Sequence, residues 1–413
     1  MQWLYIFYFL LIVGNYQKIK FMKVLLLHNR YQLPGGEDGV VQAEKSLLEA
    51  YGNQVSLLEV TNKDITSTRD KVTAAASAIY SYWAKQQVST EITHFRPDVV
   101  HVHNFFPLLS PSIYDACREH GIPVVQTLHN YRIACPKAIP FRDGKVCDKC
   151  IGKIVPLSSV VHGCYRNSRL QSSVVAAMNT WHRLQGTWRE QVNAYIVFTQ
   201  FQKDKMIQAG LPREKIYLKP NFVFSEKSLA HSDKRANYLL FVGRLSEEKG
   251  VSVLIDAYIQ NNLSIPLKIV GDGPMRHILE QQVANANLNN VIEFLGFQDK
   301  LTVLSLMRNA ICLVFPSICY EGFPLTIAEA FACGLPVIAP KLGSMAEIIE
   351  NEVTGLHFET SNLADLAAKI KWATTHQEII ITMSKNARLE YEGKYTPKTN
   401  YYQLIKIYNQ VIN

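Results

Sequence analysis

The sequence predicts an α/β protein made of two doubly wound, parallel-sheet domains of the Rossmann-like type. At 413 residues the chain is too long for one ordinary core and suits two domains. In both halves, short apolar runs alternate with longer mixed segments, which is typical of parallel strands covered by helices on both faces. The predicted strands are residues 23–27, 98–101 and 124–127 in the first half, and 238–242, 267–270, 291–295, 311–315 and 336–339 in the second.

Composition along the chain places the boundaries between these domains. Residues 22–220 form the first Rossmann-like domain and residues 237–390 the second. Residues 221–236 contain Pro, Ser, Lys, Asp and His without a sustained period, so we interpret them as a linker. Apolar side chains at 401, 404, 405 and 408 fit one stripe of a C-terminal helix, predicted over residues 391–413.

The first 21 residues form an apolar extension that precedes the first predicted strand. Their apolar run, residues 3–13, is too short to span a bilayer as a helix. It also lacks the basic segment and the small-residue cleavage site of a secretory signal. We interpret residues 1–21 as an upstream extension, with a weak membrane anchor as the alternative.

The formal net charge of +8 indicates anionic partners, which include nucleotide phosphates, acidic lipids and nucleic acid. The lysines and arginines are dispersed, with no dense stripe interleaved with aromatic residues, and this argues against nucleic acid. Cysteines placed singly or in one local cluster are not a disulfide framework, so a reducing, cytoplasmic compartment is expected.

The cysteine cluster lies in an excursion of the first domain, predicted over residues 131–168. Two of its cysteines form a Cys-x2-Cys pair, and His162 could replace one sulfur. Four thiolates at these spacings match a structural zinc site, and four reduced thiols are the alternative. The four candidate ligands are Cys135, Cys147, Cys150 and Cys164.

A glycine-rich and basic segment follows the predicted strand 238–242. Gly243 allows a ligand to approach the backbone, and Arg244 and Lys249 stand before a helix expected to begin near residue 251. A helix N-terminus and two cations together form a pyrophosphate site, whereas a surface turn with solvated charges is the alternative. Gly271 and Gly273 make a second tight strand-to-helix turn, which alone is weak evidence.

Two glutamates follow the predicted strand 311–315. Glu321 is expected in the loop and Glu329 in the first turns of a helix that begins near Leu325. Parallel sheets bind ligands at the carboxyl ends of their strands, and carboxylates accept hydrogen bonds from sugar hydroxyls. One glutamate could therefore hold a hexose and the other a ribose.

Taken together, these motifs resemble those of the retaining nucleotide-sugar glycosyltransferases of family four, which have the GT-B fold. Glu321 and Glu329 meet the family's Glu-x7-Glu spacing, and residues 243–250 match its Gly-Arg-Leu…Lys-Gly element. The resemblance covers residues 22–413, is strongest over 238–357, and implies an acceptor domain facing a donor domain across a cleft. It assigns Arg244 and Lys249 to the donor diphosphate, Glu321 to the sugar and Glu329 to the ribose. It also places Gly322, Phe323 and Leu325 beside the sugar and phosphate.

The resemblance extends to the first half. Gly35 and Gly36 match the family's glycine-rich loop next to the donor phosphates, and His129 matches the histidine that approaches the donor sugar. A supporting role in the cleft is expected for His101, His103 and Asn104. One departure is residues 221–224, Asn-Phe-Val-Phe, which replace the family's Asn-Gly-Val-Asp near the domain crossover.

The predicted function is therefore transfer of a hexose from a UDP- or GDP-sugar to a hydroxyl of a glycan or lipid-linked glycan, in polysaccharide biosynthesis. Because no Asp-x-Asp pair occurs in the sequence, Arg244 and Lys249 are expected to neutralise the leaving group in place of a catalytic metal. The expected location is the cytoplasm, with peripheral contact at the anionic inner face of the plasma membrane. The alternatives are a nucleotide-sugar epimerase or a phosphorylase of the same fold, and a zinc-containing nucleic-acid-binding protein.

Overall fold

The computed structural model describes residues 21–31, 35–62, 75, 77–225 and 236–413. The predicted extension, apart from residue 21, and most of the linker lie outside the described residues. The strands of the first half are β1 (Lys23–Arg30), β2 (Gln54–Thr61), β3 (Val99–Asn104), β4 (Val124–Thr127), β5 (Phe141–Arg142), β6 (Lys145–Val146), β7 (Ala194–Val197) and β8 (Ile216–Leu218). The α-helices around them are α1 (Gly36–Ala50), α2 (Tyr82–Phe95), α3 (Ser112–Glu119), α4 (Leu157–Val161), α5 (Arg169–Leu184), α6 (Thr187–Glu190) and α7 (Gln200–Gln208).

The second half repeats this arrangement. Its strands are β9 (Leu239–Val242), β10 (Leu267–Val270), β11 (Ile292–Gly296), β12 (Leu313–Val314), β13 (Val337–Pro340) and β14 (Gly355–Phe358). Its α-helices are α8 (Val251–Gln260), α9 (Arg276–Asn285), α10 (Lys300–Asn309), α11 (Leu325–Ala332), α12 (Gly343–Ile348), α13 (Leu363–Thr375), α14 (Gln377–Lys394) and α15 (Pro397–Ile412).

Each half contains one six-stranded parallel sheet. The strand orders are β2-β1-β3-β4-β7-β8 and β11-β10-β9-β12-β13-β14. In both sheets the order reverses beside the first strand, so the chain winds in both directions from β1 and from β9. Ligands bind at such reversal points, outside the carboxyl ends of the strands. The predicted fold of two doubly wound Rossmann-like domains is confirmed.

The excursion of the first domain lies between β4 and α5. It contains the small antiparallel β5–β6 hairpin and the short helix α4. Ser168 ends the excursion by capping α5, since its side chain accepts a hydrogen bond from the backbone N–H of Gln171.

The C-terminal segment is two helices rather than the one predicted over residues 391–413. Helix α14 ends at Lys394, and α15 begins with Thr396 as its N-cap and Pro397 in its first turn. Proline suits the first turn of a helix but cannot continue one, so Pro397 separates the two helices.

Helix α15 returns to the first domain. Tyr401 and Tyr408 are completely buried there, and the amide of Asn53 donates to the Tyr401 hydroxyl at 3.1 Å. The chain therefore passes between the domains twice, once after β8 and once between α14 and α15. The two passages are joined, because the N–H of Val223 donates to the Tyr395 carbonyl at 3.1 Å.

No helix in the described part of the chain is long and apolar enough to cross a membrane.

Candidate active site

A cleft of about 400 Å³ lies between the domains, at the carboxyl edges of both sheets. Clefts of this size at the reversal point of parallel sheets are the usual ligand sites of such folds. The first domain contributes Tyr31, Gly35, Gly36, Glu37, Val40, His129, Phe198 and Asn221, and the second contributes Val242, Gly243, Arg244, Lys249, Phe315, Glu321, Gly322, Phe323, Pro324, Leu325 and Thr326.

The loop after β9 brings two cations to this cleft. Arg244 is exposed and makes no ion pair with any residue in the described ranges. Lys249 ends a short 3-10 helix and lies over the Phe315 ring, 5.6 Å from its centroid. Gly250 then turns the chain into α8 with a φ of +66°, and a Cβ there would lie 2.1 Å from the Pro316 carbonyl oxygen. Only glycine fits this approach, which fixes the position of Lys249.

Lys249 and Glu321 form the charged centre of the cleft. Lys249 Nζ lies 2.7 Å from Glu321 Oε1, which also accepts a hydrogen bond of 2.7 Å from the Ser317 hydroxyl. Burial by itself would lower the pKa of Lys249, but the adjacent Glu321 carboxylate more than offsets burial, and the net shift is upward. Lys249 is therefore a cation. No hydrogen bond from the described residues engages Glu321 Oε2.

The backbone around Glu321 joins the two domains. Its carbonyl accepts hydrogen bonds from Ser344 Oγ at 2.9 Å and from the Tyr131 hydroxyl at 3.4 Å. A Cβ at Gly322 would lie 2.9 Å from the carbonyl oxygen of His129. The absence of a side chain at 322 therefore allows the loop of residues 321–324, which we call the donor loop after its predicted role, to lie directly against the end of β4.

Nearby side chains hold this contact between the domains in place. The Glu347 carboxylate accepts hydrogen bonds from the backbone N–H groups of Gln200 and Phe201, at 2.7 and 2.9 Å. These N–H groups begin α7, where a helix leaves its donors free for a capping carboxylate. The hydroxyls of Thr199 and Ser344 lie 2.9 Å apart beside them.

His129 lines the cleft as a neutral imidazole. Burial, and next the neighbouring His103 ring, lower its pKa well below the usual value. His129 Nε2 lies 3.0 Å from His103 Nδ1, so one of the two nitrogens donates to the other. A neutral ring can exchange a hydrogen bond with a sugar hydroxyl without adding charge to the site.

His101 and His103 do not line the cleft as expected but lie behind its wall. Glu44 Oε1 lies 3.1 Å from His101 Nδ1 and 3.3 Å from His103 Nε2, and its other oxygen lies 3.0 Å from Lys219 Nζ. Burial, and next the neighbouring His101, lower the pKa of His103 to about 4. Lys219 already pairs with Glu44, and the Tyr408 and Thr127 hydroxyls already bind both nitrogens of His101. We therefore interpret this group as a buried Lys219–Glu44 ion pair with two histidine neighbours rather than as a metal site.

Glu37 is a cleft residue that the sequence motifs do not predict. It lies in the first turn of α1, directly after Gly36, and its Oε1 accepts a hydrogen bond from Asn104 at 3.1 Å. Burial, and next the adjacent Asp38 carboxylate, raise the pKa of Glu37 to about 7, while Arg132 acts in the opposite direction. The sequence signal was an acidic residue beside the predicted glycine-rich loop, and buried acidic groups with a raised pKa are typical of functional sites.

The remaining predicted donor residues divide into two groups. Phe323 and Leu325 line the cleft together with Gly35, Gly36 and Gly243. Gly271 and Gly273 lie behind the Gly243 loop, where a Cβ would meet the carbonyl oxygens of Gly243 at 1.9 Å and Leu245 at 2.4 Å. They allow two loops to pack together, rather than contacting the cleft themselves.

Glu329 is not among the residues that line the cleft. It lies on α11, partly buried, with its Oε1 3.4 Å from Lys300 Nζ, and burial raises its pKa. Its predicted contact with a ribose stays a prediction, because the described geometry gives it only this ion pair with an exposed lysine.

The four excursion cysteines are free thiols. Burial, and next the neighbouring Cys150, raise the pKa of Cys135 to about 12. In the described part of the chain, only Glu44, His101 and His103 bring three ligand atoms of His, Cys, Asp or Glu within 4.8 Å of one another. No three of the four excursion sulfurs therefore lie within 4.8 Å of one another in the described structure.

The two facing Rossmann-like domains and the cleft between them are the architecture of the GT-B fold. Two family descriptions match adjoining parts of the chain: "Glycosyl transferases group 1" matches residues 225–390 and "Glycosyltransferase Family 4" matches residues 50–227. These matches support a transferase enzyme similar to family four, and they give no support to the epimerase alternative.

Among individual proteins, the chain is similar to an uncharacterised glycosyltransferase of Methanocaldococcus jannaschii, with 33% identity over 45% of this chain and 51% of that protein. It is 26% identical to the N-acetyl-alpha-D-glucosaminyl L-malate synthase of Bacillus anthracis, over 70% of this chain and 69% of that one. The match thus spans about half the length of the archaeal relative.

Solved structures share the fold at lower sequence identity. HepE of Anabaena, solved in complex with UDP, superposes with a TM-score of 0.66 at 21% identity, over 94% of this chain and 100% of that chain. Sucrose-phosphate synthase of Thermosynechococcus elongatus gives 0.69 at 18% identity, over 94% and 98%. At these identities the superpositions establish the GT-B fold alone.

Proposed function

We propose that this protein transfers a sugar from a nucleotide-sugar donor to an acceptor hydroxyl. The observation that carries the proposal is the Lys249–Glu321 ion pair in a cleft at the carboxyl ends of both sheets, beside Arg244, which pairs with no acidic residue in the described part of the chain. Two cations next to a carboxylate with one unengaged oxygen suit a ligand that carries both a diphosphate and a sugar.

The chemistry follows from the charges. The bond between the anomeric carbon of the sugar and the diphosphate oxygen breaks, and negative charge develops on the leaving nucleoside diphosphate. Arg244 and Lys249 stabilise that charge in place of a metal ion. The acceptor oxygen bonds to the anomeric carbon, and its proton passes to the departing diphosphate. When both events use one face of the sugar, the configuration is retained.

Glu321 and His129 orient the sugar in this scheme. Glu321 Oε2 accepts hydrogen bonds from sugar hydroxyls, while Lys249 and Ser317 hold its other oxygen. His129 bonds a further hydroxyl from the opposite domain. A substrate held from both domains is positioned only when the domains are closed, and closure also excludes the water that would hydrolyse the donor.

Incubation with UDP- and GDP-sugars tests the proposal. UDP-sugars are tried first, since HepE of Anabaena was also solved in complex with UDP-glucose. We expect one donor class to raise the melting temperature and to release nucleoside diphosphate when an acceptor is added. NMR of the new linkage reports whether the configuration is retained. Absence of both binding and transfer with the two donor classes contradicts the proposal.

We also propose that Cys135, Cys147, Cys150 and Cys164 bind one structural zinc ion, on the basis of their spacing. The sulfurs would have to move closer together on binding. Elemental analysis of protein purified without chelator should find about one zinc per chain, and Cys117→Ser, which changes a cysteine outside the cluster, should not alter that content. A metal-free preparation that is fully folded excludes the site.

For the acceptor, we propose a hydroxyl of a glycan or lipid-linked glycan of polysaccharide biosynthesis. The enzyme is proposed to act in the cytoplasm, at the inner face of the plasma membrane. The net charge of +8 supports contact with an anionic surface. Fractionation of cells that express the protein tests the location, and recovery outside the cytoplasm and inner membrane contradicts it.

A further inference from the structure

Helices α4 and α5, with the two residues Ile154 and Val155 before α4, carry an exposed apolar face at the end of the cysteine excursion. We call it the excursion surface and define it by seven side chains, each between 51% and 77% exposed: Ile154, Val155, Leu157, Val161, Leu170, Trp181 and Leu184. The two helices pack against each other, and the Thr180 hydroxyl donates to the Ile154 carbonyl at 3.3 Å. These side chains therefore belong to one connected part of the fold.

The spacing on α5 shows that its exposed apolar residues form a single stripe. Leu170, Trp181 and Leu184 are separated by eleven and three residues, which returns them to the same face of an α-helix. The opposite face carries Val175 and Met178, which are buried in the domain core. Helix α5 thus has two apolar faces, and the described fold covers only one of them.

These apolar side chains are concentrated rather than scattered. Seven of the nineteen exposed large apolar residues in the described ranges fall within residues 154–184. Single exposed apolar residues are ordinary on a soluble protein, but a contiguous group of this kind marks an interaction surface.

The stretch of sequence that carries the excursion surface has charges of one sign, although Asp143, Asp148 and Glu190 lie just outside it. Residues 149–189 contain no aspartate or glutamate, although the chain as a whole has 35. None of the cations in that segment is ion-paired within the part of the chain that the structure describes. The six cations are Lys149, Lys153, Arg166, Arg169, Arg183 and Arg189.

We propose that the excursion surface docks on an anionic lipid bilayer. Leu170, Leu184 and Trp181 would enter the boundary between head groups and acyl chains, where tryptophan is favoured. Lysine and arginine side chains at the rim would contact lipid phosphates. Binding of a nucleic acid would explain the cations but not the exposed aliphatic stripe. Binding of a protein would explain the stripe but not the absence of acidic residues from this segment.

The position of this surface also indicates the class of acceptor, an inference that rests on the proposed function. The excursion begins at Tyr131, whose hydroxyl contacts the carbonyl of Glu321 in the cleft. Docking would therefore bring to the membrane the domain that is proposed to receive the acceptor. An acceptor that resides in the bilayer, a glycan carried on a lipid, fits this arrangement better than a soluble sugar.

Vesicle sedimentation of the full chain tests the docking, without any sugar substrate. Vesicles are made of phosphatidylcholine alone or of phosphatidylcholine with 30% phosphatidylglycerol. The apolar variant is Leu170→Ser, Trp181→Ser, Leu184→Ser, and its matched control is Phe297→Ser, Leu301→Ser, which changes exposed apolar residues of the other domain. The charge variant is Arg166→Glu, Arg169→Glu, and its control is Lys385→Glu, Lys398→Glu.

We expect binding only to the anionic vesicles, weakening as salt rises. The apolar and the charge variants should each reduce the partition coefficient at least about tenfold. Both controls should stay within about twofold of the unchanged protein. Circular dichroism melting confirms that each variant is folded, which is expected because all the changed side chains are exposed.

Three results would overturn the inference. They are equal binding to neutral vesicles, unchanged binding by both excursion variants, and stronger binding of a random RNA than of anionic vesicles. Glycosyl transfer to a soluble acceptor by a protein that ignores vesicles would reject the docking and keep the proposed function. Vesicle docking by a protein that processes no nucleotide sugar would keep the docking and reject the proposed function.

Discussion

At the scale of single residues, the proposed chemistry of the cleft depends on two cations, of which one is held in an ion pair and the other is not. Lys249 is fixed by its bond to Glu321, whereas Arg244 is unpaired in the described structure. We therefore expect Lys249 to stabilise charge from a set position, and Arg244 to add its charge when a phosphate is present. Single substitutions of the two side chains should therefore have distinguishable effects on the kinetics.

Replacing either cation should lower turnover. Loss of one preorganised donor to a developing charge costs about 3 kcal/mol, so Lys249→Ala should reduce kcat by roughly a hundredfold or more. Arg244→Ala should raise the donor KM as well. Steady-state kinetics with the best donor measure both effects, and Lys385→Ala, an exposed lysine of the same domain, is the control. Wild-type kinetics in both variants would remove the diphosphate assignment.

Glu37 should give the enzyme a pH dependence near neutrality. With its pKa raised to about 7, the side chain is largely protonated at pH 6 and ionised at pH 8. An ionised carboxylate beside Gly35 and Gly36 repels the donor phosphates, so the donor KM should rise as the pH passes 7. Glu37→Gln should abolish that rise, and Glu59→Gln, an exposed glutamate, should preserve it. A KM profile that is the same in Glu37→Gln and in the wild type contradicts this role.

Where a sequence motif combined charge with glycine, the structure brings the predicted residues together, and their roles stay predictions. Arg244, Lys249, Glu321 and Gly322 were predicted, and the structure brings all of them to one cleft. Sequence prediction failed for Glu37, because desolvation by a closed cleft depends on residues far away in the sequence. Spacing cannot show how deeply a carboxylate is buried.

At the scale of secondary structure, the predicted strands were those with continuous apolar runs. Strands β2, β7, β8 and β14 were not among the predicted strands. Strand β2 is an edge strand whose residues are mostly half-exposed and whose sequence mixes polar and apolar side chains, so it has no continuous apolar run. Helix α15 was predicted from its apolar stripe, but its partner was not. A stripe shows that a helix packs, whereas only the folded chain shows that it packs on the other domain.

Helix α15 should contribute to the stability of the first domain. Leu404 is completely buried against that domain, so Leu404→Ala should lower the free energy of unfolding by about 2–5 kcal/mol. Denaturant unfolding measures this change, and Gln410→Ala on the exposed side of the same helix should be nearly neutral. Equal stability of the two variants would show that the packing of α15 is dispensable.

At the scale of the whole molecule, catalysis is proposed to depend on contact between the domains. Gly322 lies against the end of β4, and Glu347 caps α7 of the opposite domain. The donor loop is thus located by the acceptor domain, although it belongs to the donor domain. A change that separates the domains should impair donor binding without altering any charged group.

Gly322→Ala tests this dependence. The added methyl would lie 2.9 Å from the His129 carbonyl oxygen, so the loop must withdraw. We expect the donor KM to rise at least about tenfold, because the misplaced loop loses contacts in the closed form. Gly39→Ala, where no atom lies within 4 Å of the added Cβ, is the control. Unchanged donor kinetics in Gly322→Ala would show that the loop does not need this contact.

The two passages of the chain between the domains act together as a pivot. A single connecting segment would let one domain twist as well as swing, whereas two segments bonded side by side, through Val223 and Tyr395, favour rotation about one axis. The cleft would then open and close by the same rotation each time, and every closure would bring the same residues of the two domains into contact. After cleavage of the first passage alone, α15 would still hold the two fragments together, because it belongs to the second fragment and packs on the first domain.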